Sequence, residues 1–363
     1  MNIIFHIPLQ IDTDRPSASQ IRPRRLMEAF VQEGYAVDVV EGSGRQRRKQ
    51  IASIKRKIRQ GIRYDFLYSE SSTMPTLLTE SHHLPTYPFL DFGFFRFCKN
   101  HHIPIGLFYR DIYWNFINKG VDWKQRVARY FYRYDLFRYR HLLDVLFLPT
   151  SDMLQHIPFH FHGRVVQLPS GSSCLPIQHV SSSSDLEIFY VGGLGGDYDL
   201  RALVKAVAVT PNVHLTLCCR TDDWALVGTD YQPLINSHIS VVHQHGEALR
   251  DLYAAADLFA LIFTPSDYRS FAAPYKLFES IGYGVPLLAT ADTWSGRYVL
   301  QHQIGLVTNN EVDTLKQLLT QLVDNPALLD QFRSNLSTVA QQNTWSARCH
   351  QIANALANSQ VNH

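Results

Sequence analysis

Short apolar runs alternate with segments of helical periodicity along most of the chain, and this alternation occurs twice. The first series covers residues 1–170, and the second starts at Leu186, after a stretch rich in Ser, Gly and Pro. Strands separated by helices form parallel sheets with helices on their faces. A chain of 363 residues is also about long enough for two cores. The sequence therefore predicts two α/β domains, at 1–170 and 186–342, joined by a linker at 171–185.

The spacing of apolar residues indicates where the elements of each series lie. In the first series it predicts a helix at Ile21–Glu33 and a basic helix at Ile51–Gln60, with strands at Ile3–Ile7, Ala36–Val40, Tyr64–Ser69, His102–Tyr109 and Val145–Pro149. In the second it predicts helices at Asp199–Val209, Glu247–Ala256 and Tyr275–Gly282, with strands at Leu186–Val191, Val213–Cys219, Ile239–His243, Leu258–Phe263 and Val285–Ala289. The tail from Val312 to Ala357 is expected to be mostly helical.

Composition excludes several classes of protein. With 45% hydrophobic and 18% charged residues the chain is typical of globular proteins, and it has no apolar stretch of the length that a membrane span needs. The apolar start lacks a basic region before it, so it predicts a buried first strand rather than a signal peptide. The five cysteines are scattered and the histidines form no HExxH pattern. We therefore expect a cytoplasmic protein without a bound metal or cofactor.

The net charge of +2 conceals an asymmetry between the two halves. Residues 1–170 carry 24 Lys and Arg against 15 Asp and Glu, whereas residues 171–363 carry 10 against 17. Segment 121–144 is basic and aromatic, with four arginines along one side of a predicted helix: Arg126, Arg129, Arg133 and Arg140. Such a helix can lie on an anionic membrane, or it can be an ordinary domain helix with solvated arginines. No nucleic-acid-binding motif accompanies the charge, so nucleic acid is not an expected partner.

Segment 274–290, PYKLFESIGYGVPLLAT, carries the most chemical information. Pro274 can open a helix, on which Lys276 and Glu279 then share one face. Gly282 and Gly284 are expected to end it. This helix follows a predicted strand, so its N-terminus lies at the carboxyl edge of the sheet, where ligands of open α/β sheets bind. Lys276 and free backbone N–H groups suit a diphosphate, and Glu279 suits ribose hydroxyls. The N–H groups in question belong to Phe271, Ala272 and Ala273.

These residues resemble the nucleotide-sugar motif of the retaining family-4 glycosyltransferases of GT-B fold, which ends in E-x4-G-x-P and a strand. FYVGGL (189–194) is similar to the glycine loop of that family, with Gly192 and Gly193, and HGEALRDLYAAADLFAL (245–261) to its helix and strand before the donor site. NTWSAR (343–348) is similar to the start of its last helix. The resemblance implies two Rossmann-like domains facing a cleft, a C-terminal helix at 343–363 that returns to the first domain, and a ribose-binding role for Glu279.

The chain departs from the family at two positions. Relatives commonly have a first glutamate that contacts the transferred sugar, and counting back from Glu279 gives Phe271 instead. The basic residues that usually follow the glycine loop are also absent. Arg220, at the end of a predicted strand, and Lys276 are the candidates for the missing positive charge.

The first domain offers three candidate groups. Ser17, Ser19 and Arg22 lie between the first strand and helix, where they form part of an acceptor site or simply cap the helix. Arg110 and Asp111 follow a predicted strand where relatives tend to carry a His–Asp pair, so Asp111 is a candidate base, or else a cap. Glu70 follows the preceding strand as a further carboxylate of the acceptor site.

The resemblance implies a retaining, metal-independent glycosyltransferase that acts in bacterial-type surface polysaccharide or glycolipid assembly. Its donor would be a nucleoside-diphosphate sugar and its acceptor a glycan or a lipid-linked glycan. The protein would be cytoplasmic and peripheral on the inner face of the plasma membrane. Two alternatives stay open: a non-catalytic GT-B subunit that binds a partner glycosyltransferase or glycan, and an isomerase such as a nucleotide-sugar epimerase.

Overall fold

The computed structural model describes residues 1–12, 17–117, 122–174 and 185–358. The chain divides into two compact units. Unit 1 comprises Met1–Gly171 together with the segment from Trp345, and unit 2 comprises Ser172–Thr344. The linker predicted at 171–185 falls mainly on 175–184, outside the described residues, as do the last residues, 359–363, of the predicted C-terminal segment.

Unit 1 is built around a parallel sheet of six strands in the order β2-β1-β3-β4-β5-β6. Its first ten elements are β1 Asn2–His6, α1 Ala18–Gln32, β2 Ala36–Val40, α2 Gly44–Arg59, β3 Phe66–Glu70, α3 Leu90–Asn100, β4 Ile105–Phe108, α4 Trp123–Leu142, β5 Val145–Leu148 and β6 Arg164–Gln167. The strands from β3 to β5 are buried on both faces. β4 and β5 are accordingly continuous apolar runs, which is why the sequence predicted them.

Helix α2 begins seven residues before its predicted start, and a capping box explains the difference. The Ser43 hydroxyl accepts from the backbone N–H of Gln46, and the Gln46 side chain accepts from the backbone N–H of Ser43. These two bonds satisfy donors that an uncapped helix end leaves unpaired. The first turns are therefore stable although they are basic and largely exposed, and apolar periodicity alone does not detect them.

Unit 2 contains a second parallel sheet of six strands, in the order β12-β11-β10-β7-β8-β9. Its elements are β7 Leu186–Val191, α5 Arg201–Val209, β8 Val213–Cys218, α6 Thr221–Tyr231, β9 Ile239–Val242, α7 Leu249–Ala255, β10 Leu258–Leu261, α8 Tyr275–Tyr283, β11 Leu287–Thr290, α9 Trp294–His302, β12 Gly305–Thr308, α10 Val312–Asp324 and α11 Ala327–Gln342. The doubly wound fold expected from the sequence is confirmed for both units.

Successive strand residues of unit 2 point to opposite faces of its sheet and form two apolar clusters. Ile188 and Leu258 belong to one cluster, and their neighbours Phe189 and Phe259 belong to the other. This alternation follows from the two-residue period of a β-strand. Because helices cover both faces of the sheet, only the loops at the ends of its strands can present polar groups to a ligand.

Each sheet reverses its strand order once. In unit 1 the reversal lies between β1 and β3, and in unit 2 it lies between β7 and β10. At such a switch point the loops leaving two adjacent strands run in opposite directions and leave a crevice at the carboxyl ends. The loops after β1, β3, β7 and β10 are therefore the places where the fold itself favours a ligand.

Helices lie on both faces of the unit 1 sheet. The last helix, α12 Trp345–Ala357, packs against α1 on one face. Right-handed crossovers put the helices that connect β2 to β3, β3 to β4 and β4 to β5 together on the opposite face. Contacts of α3 with α2 and with α4 agree with this arrangement. We call the layer formed by α2, α3 and α4 the three-helix face.

A buried carboxyl group on α4 makes the stability of unit 1 depend on pH. Asp135 is 3% exposed, its Oδ2 accepts from the Thr76 N–H at 2.7 Å, and its Oδ1 has no hydrogen-bond partner among the described residues. Burial raises the pKa of this carboxyl to about 7. Since the folded pKa exceeds the unfolded one, the stabilisation is present below about pH 4 and is lost as the pH rises through 7.

Replacing Asp135 with Asn should therefore raise the free energy of unfolding at pH 8, by about 2–3 kcal/mol, and change it little at pH 4. The amide retains an oxygen for the Thr76 N–H and carries no charge. Urea unfolding at several pH values measures the effect, with the exposed Asp313→Asn as the control. An equal gain at pH 4 and pH 8 would contradict the titration of Asp135.

Candidate functional site

In unit 2 the two loops of the switch point are bonded to each other. The glycine loop, residues 192–198, follows β7, and Gly195 and Gly196 in it have φ of +88° and +59°, which favour glycine. The backbone N–H of Thr264, in the loop after β10, donates to the carbonyl of Asp197 at 2.9 Å. The glycine loop and the β10–α8 loop, residues 262–274, therefore form one continuous surface at the carboxyl edge of the sheet.

Helix α8 presents a carboxylate and an ammonium group beside this surface. Glu279 is 17% exposed, and its Oε2 accepts from the Tyr253 hydroxyl at 2.9 Å and from the Lys276 ammonium. Burial and the Glu279 carboxylate raise the pKa of Tyr253, which therefore remains a donor. Among the described residues, nothing bonds to Oε1 of Glu279, so that oxygen can accept hydroxyl groups of a ligand.

Arg269, in the β10–α8 loop, is not among the site residues predicted from the sequence, yet it lies beside the glycine loop. Its guanidinium stacks on Phe263, 4.3 Å from the ring centroid, and on Tyr198 at 4.9 Å. The closest carboxylate oxygen, on Asp197, is 3.7 Å away. Arg269 is only 8% exposed, and its Nε has no hydrogen-bond acceptor within the described residues. Its place after β10, at the switch point, is the only sequence-level signal that could have indicated it.

At the switch point of unit 1 a glutamate is enclosed by two arginines. Glu70, the last residue of β3, is fully buried and forms ion pairs with Arg22 at 3.1 Å and Arg110 at 3.2 Å. The Tyr68 hydroxyl donates to it at 3.0 Å, and Arg22 also stacks on Phe108 at 3.6 Å. Burial lowers the pKa of the Arg110 guanidinium, and Glu70 opposes that shift. The cluster carries one excess positive charge, and its donors mostly serve protein acceptors.

A second buried network lies on the same sheet. His6 Nδ1 contacts the Ser69 hydroxyl at 2.8 Å, and its Nε2 contacts Asp91 at 3.0 Å, which also pairs with Arg47 at 3.0 Å. Burial acts to raise the pKa of Asp91, but His6 and Arg47 lower it overall. All of these residues are 2% exposed or less. A Ser–His–Asp arrangement of this kind has no access to substrate, and it fastens β1, β3 and the helices together.

Comparison with solved structures places this architecture among known folds. No protein-family profile and no curated protein sequence matches the chain. The Anabaena protein HepE in complex with UDP matches with a TM-score of 0.66 and 14% identity, over 99% of this chain and 100% of that one. The sucrose-phosphate synthase of Thermosynechococcus elongatus matches with a TM-score of 0.64 and 15% identity, over 98% of each chain.

A third similar structure is WaaG, a glycosyltransferase involved in lipopolysaccharide biosynthesis. It matches with a TM-score of 0.59 and 15% identity, over 97% of this chain and 99% of that one. These matches extend over both units and both sheets. The chain has the GT-B fold. The fold implied by the sequence resemblance is thereby confirmed.

Two of the donor-site residues predicted from the sequence need correction within this GT-B fold. The backbone N–H groups of Phe271 and Ala272 are not free, because both donate to the carbonyl of Tyr268, at 3.4 and 3.1 Å. The chain turns back on itself before α8, which consumes these donors, and the Phe271 side chain is 2% exposed. Pro274 is the N-cap residue of α8, and Ala273 lies directly before it, so the backbone of Ala273 is close to the first turn of the helix.

Arg220 lies at the carboxyl end of β8, adjacent to the β7 strand, as predicted. Its side chain is 78% exposed and pairs with Asp223 at 3.1 Å. Gly192 and Gly193 begin the glycine loop, with the Gly192 N–H bonded to the carbonyl of Cys218 at 3.1 Å. Each of the two predicted cations therefore has a carboxylate partner on its own helix or at its cap, Asp223 for Arg220 and Glu279 for Lys276.

The predicted acceptor residues of unit 1 divide into two groups. Arg22 and Glu70 belong to the buried cluster, in which Arg22 and Arg110 both pair with the Glu70 carboxylate. Neither Arg22 nor Glu70 is therefore exposed at the edge of the sheet, as the sequence had suggested. Ser17 occupies the N-cap position of α1 without a side-chain cap bond, and its hydroxyl contacts that of Ser19 at 2.9 Å. This corrects the predicted capping by Ser17.

Asp111 follows β4, next to Arg110 of the buried cluster. Its Oδ1 accepts from the Tyr113 N–H at 2.7 Å, which is the capping role considered as the alternative to a base. The bond directs the carboxylate into the turn at Tyr113–Asn115. A catalytic role for Asp111 and Arg110 stays a prediction.

The four arginines of α4 lie along one side of the helix, but only two are exposed. Arg126 and Arg133 face solvent. Arg129 donates to the carbonyls of Trp114 and Ile117, and Arg140 is half-buried against Phe137. Neither a membrane-facing nor a fully solvated row of four arginines fits Arg129 and Arg140, because Arg129 bonds to the preceding loop and Arg140 lies against Phe137 with its Nε buried.

A search of the described residues finds no helix that is both long and apolar enough to cross a bilayer. Within the same residues, no group of three or more His, Cys, Asp or Glu side chains is arranged to hold a metal ion.

Proposed function

We propose that this chain is a glycosyltransferase that transfers a sugar from a nucleoside-diphosphate sugar to a glycan or lipid-linked acceptor. The observation that carries this proposal is the position of Glu279, on α8 beside the unit 2 switch point, with one carboxylate oxygen unoccupied among the described residues. A carboxylate oxygen at that edge suits the paired hydroxyls of a ribose. HepE, which shares the fold, has been solved with UDP and with UDP-glucose.

The remaining groups of unit 2 suit the diphosphate of the donor. The glycine loop brings backbone close to a ligand without side chains in the way, and Lys276 supplies a positive charge beside the first turn of α8. Sugar transfer leaves negative charge on the departing nucleoside diphosphate, so fixed positive groups there stabilise the transition state. The reaction would need no metal, and the resemblance to family 4 favours retention of the anomeric configuration.

Unit 1 would bind the acceptor. Ser17 and Ser19 lie at the start of α1, beside the unit 1 switch point, and the buried cluster holds Arg110 and Asp111 beneath the same edge. In this proposal Asp111 contacts or deprotonates the acceptor hydroxyl, and Arg22 and Glu70 fix the loops that position it.

A role in surface polysaccharide or glycolipid assembly is supported by WaaG, a structural relative involved in lipopolysaccharide biosynthesis. The basic three-helix face adds to this support, because it suits an anionic membrane that carries a lipid-linked acceptor. The protein would then act in the cytoplasm, peripherally on the inner face of the plasma membrane.

A non-catalytic GT-B subunit is the second candidate. The specific observation in its favour is Phe271, a buried side chain where relatives commonly carry a glutamate that contacts the transferred sugar. Such a subunit would bind a partner glycosyltransferase or a glycan and would not turn over a sugar nucleotide.

One experiment tests the donor site. Glu279→Ala should weaken binding of UDP, or of whichever nucleoside diphosphate the protein prefers, by about 1.5–3 kcal/mol, since a hydrogen bond to a charged group is lost. Calorimetry measures the affinity, and the exposed Glu311→Ala serves as the control with the same change of charge. Equal affinities of wild type and Glu279→Ala would overturn the assignment of Glu279.

Turnover separates the two candidate functions. Wild-type protein incubated with a panel of sugar nucleotides should release nucleoside diphosphate, slowly with water and faster with an acceptor, and Glu279→Ala should do so poorly. Nucleotide binding without any release, across the panel and with lipid-linked acceptors, would favour the non-catalytic subunit.

A further inference from the structure

Arg269 is a charged side chain that the fold buries, and among the described residues its Nε has no hydrogen-bond acceptor. Its side chain is 10% exposed, and its Nε is enclosed and unpartnered within the described residues. A guanidinium has five N–H donors, and a buried donor left without an acceptor costs free energy. Groups of this kind are rare in folded proteins and call for a specific explanation.

The surroundings hold the guanidinium in place without satisfying it. Phe263 and Tyr198 lie against it with their rings, which attract a cation through π electrons but leave its N–H groups unbonded. The Asp197 carboxylate is 3.7 Å away, too far for a good hydrogen bond, and it is itself 48% exposed. The cation is thus oriented and desolvated, and its charge is only partly balanced.

The position of Arg269 coincides with the place where the fold favours a ligand. The β10–α8 loop carries it, and this loop is bonded to the glycine loop through Thr264 and Asp197. Both loops leave the strands of the unit 2 switch point. Arg269 thus belongs to a loop of the switch point itself, whereas Arg220 follows β8, one strand away from the switch point, and is 78% exposed.

We propose that Arg269 is a phosphate-binding residue of the donor site, which donates hydrogen bonds to the diphosphate of the nucleotide sugar. This inference rests on the proposed function and extends it, because it supplies the positive charge that is missing after the glycine loop. Binding gives the buried guanidinium the oxygen acceptors that it lacks, and planar N–H pairs match phosphate oxygens well.

The closing experiment compares Arg269→Met with wild type. Methionine keeps an apolar stem against the two rings and removes the charge. The affinity for UDP should fall about 10- to 100-fold, whereas the affinity for uridine should stay unchanged, since only the diphosphate contacts the guanidinium. Arg201→Met, which removes an exposed arginine of unit 2, is the matched control and should leave both affinities unchanged.

Thermal unfolding without ligand separates a binding role from a structural one. A buried guanidinium without an acceptor destabilises the unliganded protein, so Arg269→Met should have an equal or higher Tm, and should lose the rise of Tm that UDP produces in wild type. A lower Tm together with normal UDP binding would show that Arg269 serves only the fold, and would overturn the proposal.

A second variant keeps the proposal testable if Arg269→Met does not fold. Asp197→Asn removes the carboxylate that competes with phosphate for Arg269, so UDP should bind several-fold more tightly. Unchanged or weaker binding to Asp197→Asn would contradict the proposal. If wild type binds none of UDP, GDP, ADP and dTDP, the proposed function itself fails. If wild type binds one of them and Arg269→Met binds it equally well, only the role of Arg269 fails.

Discussion

Replacing Glu70 with Ala is expected to destabilise unit 1 by about 3–5 kcal/mol. The substitution leaves Arg22, which is 2% exposed, and Arg110, which is 11% exposed, side by side without the carboxylate between them. Two uncompensated buried charges repel each other and have no water to solvate them. Chemical unfolding followed by fluorescence measures the loss.

A surface glutamate of the same unit provides the control. Glu28 also lies between two arginines, with Arg25 at 3.2 Å and Arg24 at 3.7 Å, but it is 42% exposed. Exposed ion pairs contribute about 0–1 kcal/mol, so Glu28→Ala should be nearly neutral. A cost for Glu70→Ala that is no larger than that for Glu28→Ala would mean that the arginines relax to solvent, and that the cluster is not a fixed support of the switch point.

The location of the cluster links this stability to the proposed function. Glu70 ends β3, Arg110 follows β4, and Arg22 belongs to α1, so one carboxylate fastens three segments that meet at the unit 1 switch point. Loss of Glu70 should therefore also impair any activity that needs the loop of Asp111. This supporting role differs from the direct acceptor contact that the sequence suggested for Glu70.

Much of the fold could be predicted because a buried strand can be recognised from its local sequence. Strands such as β5 and β10 consist of apolar runs that only a sheet covered on both faces accommodates. Helix α3 and strand β6 escaped prediction for opposite reasons. The first, LDFGFFRFCKN, is aromatic enough to suggest a strand, and the second, RVVQ, is short and mostly half-buried. Local pattern is ambiguous for such segments, and tertiary packing decides.

The candidate site was predictable where chemistry follows from position along the chain. Glu279 and Lys276 share a helix face because of their spacing, and the αL conformation of Gly284, with φ of +71°, ends that helix. What the sequence could not provide was pairing across the sheet. The enclosure of Glu70 by Arg22 and Arg110 depends on three distant segments, and the burial of Arg269 depends on rings from separate loops.

The three-helix face of unit 1 carries positive charge that no exposed acid in its helices offsets. In α2, α3 and α4 the aspartates Asp91 and Asp135 are both buried, and no other acidic residue occurs. The exposed basic residues of these helices are Arg45, Arg48, Lys49, Arg56, Arg59, Arg96, Lys99, Lys124, Arg126 and Arg133. A surface of this kind attracts an anionic bilayer, and each Lys or Arg near the bilayer contributes about 1 kcal/mol to the free energy of binding.

Apolar side chains on α4 supply the second ingredient of an interfacial helix. Trp123 is 70% exposed and Tyr130 is 69% exposed, and Val127 and Phe137 continue the same stripe. Exposed aromatic rings of this size lose contact with water when they enter the headgroup region. Arg126 and Arg133 flank the stripe, so aromatic insertion and charge attraction act at the same place on the helix.

We therefore expect the protein to bind vesicles that contain anionic lipid and to leave them as salt rises, because exposed charges are screened within about 10 Å at 0.1 M salt. Replacing Lys124, Arg126 and Arg133 with Gln should weaken partitioning about 100-fold, in line with about 1 kcal/mol for each of three charges. The fold should survive, since these three side chains are exposed, whereas Arg129 and Arg140 must be kept because they contact the domain. Flotation with and without phosphatidylserine measures the binding.

The control changes Arg201, Arg250 and Lys316 to Gln, an equal loss of charge on unit 2, and should bind vesicles as wild type does. Equal losses in both triple variants would reduce the effect to net charge, and binding that is independent of anionic lipid would exclude the three-helix face as a membrane-binding surface.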